Sequence, residues 1–186
     1  MSEEEASRLI EEIAEILERV SRLDKKKVVE ELIESISQRD PLIGALLRRT
    51  TIALAEVGEL AGTDGIRIYL GVAFFALPRE DQEFVLAHEA AHIALMHSTR
   101  YERVRHRCRL PGELCGELYD LLADAEANKY VCERFEPASI VPLTPRMLEE
   151  AFGTRLEGRG LEEAYEELAE KVTAVDLVAD PDLENP

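Results

Sequence analysis

The sequence predicts an α+β fold that is predominantly α-helical, with a single small β element. Three observations carry this expectation. Apolar residues recur at spacings of three and four over most of the chain, and one short stretch alternates with a period of two. Prolines and glycines fall at the boundaries between the helical runs.

From Glu3 to Leu23, Leu9, Ile10, Ile13, Ile16, Leu17 and Val20 recur at helical spacing among charged residues, the pattern of an amphipathic helix. A second helix is expected from Lys25 to about Ser37, with Leu32, Ile33 and Ile36 on one side and Arg39-Asp40-Pro41 as its stop. The two suggest an N-terminal helical hairpin. Pro41 suits the first turn of a third helix carrying Leu42, Ile43, Leu46, Leu47, Ile52, Leu54 and Val57, weakened at Gly58 and Gly62.

Thr63-Asp64-Gly65 reads as a turn, and Ile66, Arg67, Ile68, Tyr69 and Leu70 alternate as a strand should. The run Val72 to Leu77 has no clear period. Pro78 with Glu80 and Asp81 then opens a helix expected to reach about His97, because proline fits a first turn and carboxylates favour the positive end of the helix dipole. A basic loop from Tyr101 to Gly112 leads to a helix from about Glu113 to Arg134. Pro137, Pro142 and Pro145 interrupt the chain before a short helix around Met147 to Phe152, and a last helix covers about Leu161 to Val175. The expected organisation is a hairpin over residues 1–40, a main domain over 41–175 and an acidic tail over 176–186.

The 186 residues are 46% apolar and 33% charged, enough apolar content to bury a core. The net charge of −17 opposes phosphate backbones and anionic lipid surfaces, so neither nucleic acid nor membrane is expected as a partner. No run approaches the roughly 20 apolar residues of a membrane span, and Met1-Ser2-Glu3-Glu4-Glu5 is acidic where a secretory signal is basic. Three cysteines, Cys108, Cys115 and Cys132, cannot pair completely, which favours a reducing cytoplasm and free thiols.

The chemistry concentrates in His88-Glu89-Ala90-Ala91-His92, an H-E-x-x-H pattern within a helix. At about 100° per residue the two histidines lie only about 40° apart, so both imidazoles can reach one ion from adjacent turns. Glu89 lies beside them, where it can act on a water at that ion. The residues from Phe84 to Met96 are otherwise apolar, and burying three polar side chains among them is costly unless a divalent ion engages them.

A catalytic zinc site needs a third protein ligand. His97 is one candidate, but an unbroken helix would turn it about 180° from His88, and no glycine lies between His92 and His97 to reverse the chain. Asp124 is the preferred candidate, with Asp120 and Asn128 one turn to either side on the same face, placed to hydrogen-bond the ligating groups. His106, Cys108 and Cys115 could form a structural zinc site, but loop thiols are the simpler reading.

These residues together resemble a known family, the predicted metal-dependent peptidase domain often followed by a von Willebrand factor A-like domain. The likeness runs from about Pro41 to Leu168. It rests on Thr63-Asp64-Gly65 leading to Ile68-Tyr69, on the acidic helix start before His88-Glu89-Ala90-Ala91-His92, on His97, on Ala123-Asp124 with Asn128, and on Leu161-Glu162-Glu163-Ala164-Tyr165. The resemblance implies a zincin-like core with His88 and His92 as zinc ligands, Glu89 as catalytic base and Asp124 as third ligand. Related zincins make Glu126 a rival, turned about 200° from Asp124. Tyr119-Asp120 stands where the family commonly has Trp-Asn, and no von Willebrand factor A-like segment follows in this sequence.

The expected function is zinc-dependent hydrolysis of a peptide or protein substrate, with Ile66, Arg67, Ile68 and Tyr69 aligning the substrate as an added strand. The alternative is a non-catalytic zinc-stabilised module that works with an AAA+ ATPase of the MoxR type, a partner implied by the resemblance alone.

Overall fold

The computed structural model describes residues 3–55, 60–156 and 158–179. The fold is α+β and mostly helical, as expected, with eight α-helices and one three-stranded sheet among the described residues. The chain forms two compact units, Met1–Ala90 with Arg134–Ile140, and Ala91–Glu133 with Val141–Pro186.

In the first unit, α1 (Glu3–Ser21) buries Val20 but leaves Leu9, Ile10, Ile13, Ile16 and Leu17 exposed. Helix α2 (Lys25–Arg39) starts at Asp24, whose carboxylate accepts from Lys27 N at 3.1 Å. Asp40 ends α2 and starts α3 (Pro41–Leu47), because its Oδ1 accepts from Leu42 N and Ile43 N at 3.0 Å each. The same buried carboxylate meets Arg134 at 3.0 Å, so one acidic residue fixes the corner between two helices and ties it to the 134–140 segment.

The third helix expected beyond Leu47 does not form. Thr50, Thr51 and Ile52 are β-branched, stiff in a helix and suited to a pleated surface, and Thr51–Leu54 becomes β1 instead. Val57 and Gly58 lie outside the described residues. β1 runs parallel to β3 (Arg67–Leu70), and β2 (Ala61–Thr63) runs antiparallel to it, giving the order β1-β3-β2. Periodicity finds β3, where Ile68 and Leu70 are buried and Arg67 is exposed. It misses β2, too short and too small in side chains to show a pattern. Since β3 has a neighbour on both sides, its backbone is already paired. Among the described residues, Arg67 to Leu70 therefore lie in the central strand rather than at a sheet edge, where the strand-addition expectation needs them.

The Thr63-Asp64-Gly65 turn is held by its own side chains. Asp64 Oδ1 accepts from Ile66 N at 2.8 Å and Arg67 N at 2.7 Å, Tyr69 Oη donates to Asp64 Oδ2 at 2.9 Å, and Gly65 takes the left-handed φ of 87°. These bonds, led by that from Arg67, hold the Asp64 carboxyl below its ordinary value. The ambiguous run after Gly71 is a 3-10 turn, Val72–Ala76, with Phe74 and Phe75 buried edge to face at 5.1 Å.

Helix α4 (Arg79–Ala94) begins with Glu80 and Asp81. Asp81 is fully buried and accepts from Ala138 N at 2.7 Å, Ser139 N at 3.1 Å and the Ser139 hydroxyl. Glu83, also buried, meets Arg39 at 3.2 Å and Arg79 at 3.4 Å. The helix stops at Ala94, short of the expected His97.

The second unit contains α5 (His97–Val104), α6 (Gly112–Val131), α7 (Pro145–Phe152) and α8 (Leu161–Ala179). Its core packs Tyr119, Leu122, Leu148, Leu161, Tyr165 and Leu168. Thr144 caps α7 through Met147 N, and Gly153 at φ 59° ends it. The last helix runs on to Ala179, past the Val175 limit read from the sequence. Cys108 and Cys115 form a disulfide, which corrects the expectation of free thiols and leaves neither sulfur for a zinc site with His106. Among the described residues no helix is long and apolar enough to cross a membrane.

Candidate metal centre

Helix α4 carries the H-E-x-x-H pattern on a largely buried segment, where Phe84, Val85, Leu86, Ala87, Ala90 and Ala91 are all inaccessible or nearly so. This packing fixes the helix, and the helix fixes its polar residues. His88 and His92 stand one turn apart and are half-buried, His88 lies against the Phe84 ring at 6.3 Å, and Glu89 between them is buried. Helix α6 supplies Asp124, whose Oδ1 lies 3.2 Å from His92 Nε2. His88, His92 and Asp124 each present one ligand atom, all within 4.8 Å of one another. The arrangement brings together the three residues that spacing and resemblance singled out.

The donor set fits a borderline divalent ion, since two imidazole nitrogens and a carboxylate oxygen are ligands that such ions take.

His97 is not one of the three clustered residues, but it does not point away from them as an unbroken helix would require. Instead Met96 adopts a left-handed conformation, φ 58° and ψ 35°, without help from glycine. The chain turns there, α5 starts, and the buried His97 ring returns to His92 with Nδ1 to Nδ1 at 3.0 Å. Its other nitrogen, Nε2, lies 2.8 Å from Glu126 Oε2. A left-handed methionine leaves no trace in hydrophobic period, so no signal in the sequence marks this turn.

Glu126, the rival ligand, faces His97 and Arg100 rather than the three-ligand cluster. Arg100 Nη1 donates to Glu126 at 2.7 Å while its Nε and Nη2 fork onto Glu162 at 2.7 and 3.0 Å. Burial pushes the Glu126 carboxyl up, but the hydrogen bonds from His97 and Arg100 together outweigh it and hold the group below its ordinary value. Glu162, bonded by Arg100, is held down to about 2. The paired carboxylates in turn raise Arg100, against the effect of its burial.

The remaining predicted positions are placed as follows. Asp120 stands one turn before Asp124 on α6, where partial loss of solvation and repulsion from Asp124 and Glu117 raise its carboxyl. Asn128 is buried and donates to Leu143 O at 2.9 Å. Tyr119 is buried and donates to His97 O at 2.9 Å, which pins the start of α5.

A family model described as "putative metallopeptidase domain" matches residues 24–180. No curated protein and no solved structure matches the chain.

Proposed function

The chain belongs to this metallopeptidase-domain family, and from that premise we propose that it hydrolyses peptide bonds with the help of a zinc ion held by His88, His92 and Asp124. The observation that carries the reading is the convergence of those three donors within 4.8 Å, with the buried Glu89 next to His88 in the chain. When bound, zinc supplies Lewis acidity toward the scissile carbonyl and brings the pKa of a water on it to about 7.

Glu89 is the general base of the proposed reaction. It takes a proton from the attacking water and returns it to the leaving amine, so the residue ends the cycle as it began. His88 and His92 act as ligands and transfer no proton in the reaction.

A second reading has one observation of its own. The exposed stripe Leu9, Ile10, Ile13, Ile16 and Leu17 on α1 suits a protein partner, in keeping with a zinc-stabilised module serving an AAA+ ATPase. Metal analysis and a fluorogenic peptide library separate the two. The enzyme reading expects about one zinc per chain, measurable hydrolysis, and a loss of about 100- to 10,000-fold in Glu89→Gln with zinc retained. Zinc binding with no hydrolysis of any peptide or unfolded protein would leave the module reading standing alone.

A further inference from the structure

Resting on the zinc reading above, we propose that His97 and Glu126 are positioning residues for His92. They form a hydrogen-bond chain of fixed direction that keeps His92 protonated at Nδ1 and bare at Nε2.

The direction follows from the two ends. Glu126 is paired with Arg100 and its carboxylate can only accept, so the 2.8 Å contact has His97 donating from Nε2. At the other end His92 Nε2 lies 3.2 Å from Asp124, and as a zinc ligand it would offer its lone pair there, which places the hydrogen of His92 on Nδ1. The 3.0 Å contact between the two Nδ1 atoms then has His92 donating and His97 accepting.

The chain is also anchored. His97 is 3% exposed, its carbonyl accepts from Tyr119, and Glu126 is braced by an Arg100 that forks onto Glu162. The two rings meet nearly perpendicular, at 83°, with their centroids 4.7 Å apart. Ligating histidines commonly lean on a carboxylate or carbonyl directly. Here a second imidazole stands between, passing the acceptor strength of Glu126 on to His92.

The test is zinc affinity by chelator competition on the full chain, with the melting of each metal-free protein as the control for folding. His97→Phe, which keeps a ring but no nitrogen, is expected to weaken zinc binding by about 10- to 100-fold. Glu126→Gln is expected to weaken it by less, since the amide oxygen still accepts from His97 without a full charge. In the zinc-loaded wild type, NMR is expected to show a nitrogen–nitrogen scalar coupling between the Nδ1 atoms of His92 and His97, with the His97 proton on Nε2. Wild-type affinity in both variants, or a His97 proton on Nδ1, would overturn the proposal. Should His97→Phe fail to fold, Glu126→Gln and the coupling decide. The double variant His88→Ala with His92→Ala keeps the two readings apart. Zinc retained there defeats the site itself, whereas zinc lost there but unchanged in His97→Phe and Glu126→Gln defeats only the chain.

Discussion

His92 Nε2 lies 3.2 Å from Asp124 Oδ1, a contact that joins the last turn of α4 to the middle of α6. It selects Asp124 from the line of acids on α6. Asp120 is exposed and Glu126 is committed to His97 and Arg100.

Removing that carboxylate is expected to cost more than the outer partners do. Asp124→Ala should weaken zinc binding by more than about 100-fold, above the roughly 10- to 100-fold typical of residues behind a ligand. Chelator competition measures it directly. Unchanged affinity would place the third ligand elsewhere, with Asp120 as the next residue to substitute.

Acid stability should report Asp81. Burial alone would raise its carboxyl, but the hydrogen bonds from Ser139 and Ala138 hold it below its ordinary value. A depressed folded-state pKa means that the stabilisation is fully present above the unfolded value of about 3.9 and is lost as pH falls through the folded value. Asp81→Asn should cost about 1–3 kcal/mol at pH 7, because hydrogen bonds to a buried charge are replaced by a neutral and partly mismatched amide. Urea unfolding across pH should show the two proteins converging below about pH 4. A gap that stays constant with pH would mean that Asp81 is not the group responsible.

At the α2–α3 corner two effects of one substitution oppose each other. Gly44→Ala gains about 1 kcal/mol in helix propensity. However, the new Cβ would sit 2.5 Å from the Ser37 Cα, a backbone atom that cannot swing aside. Overpacking against backbone falls at the upper end of about 1–3 kcal/mol, so net destabilisation of about 1–2 kcal/mol is expected. Thermal melting checks the sign, and a more stable variant would show that the helices can part freely.

The Cys108–Cys115 bridge closes a short loop, with a sequence separation of 7. Chain-entropy arguments give about 2–3 kcal/mol for a loop of that size. Reduction should therefore lower the melting temperature while leaving zinc affinity unchanged, since neither sulfur belongs to the ligand set. A fall in zinc affinity on reduction would tie the loop to the metal centre.

The sequence by itself determined everything that depends on near neighbours. Periodicity located α1, α2, β3, α4, α6 and α8, because a helix or strand repeats its burial every few residues. The same short spacing put His88 and His92 on one face with Glu89 beside them, since a single helix turn fixes those positions whatever surrounds it. Asp124 was preferred from its place on the acidic stripe with Asp120 and Asn128, and the family likeness strengthened it, because a line of acids on a helix has the same period whether it meets an ion or water.

What the tertiary structure decided lies beyond that range. Thr51–Leu54 became a strand because β3 gave it a partner, and β3 lost its free edge for the same reason. Cys108 met Cys115 because the chain folded back from α5 to α6. His97 returned to His92 through a left-handed Met96, a backbone state that α-helix periodicity does not encode and that surrounding packing must hold in place. Local pattern reports the turns of a chain one at a time, while hydrogen bonds between distant segments are settled only when the whole chain has packed.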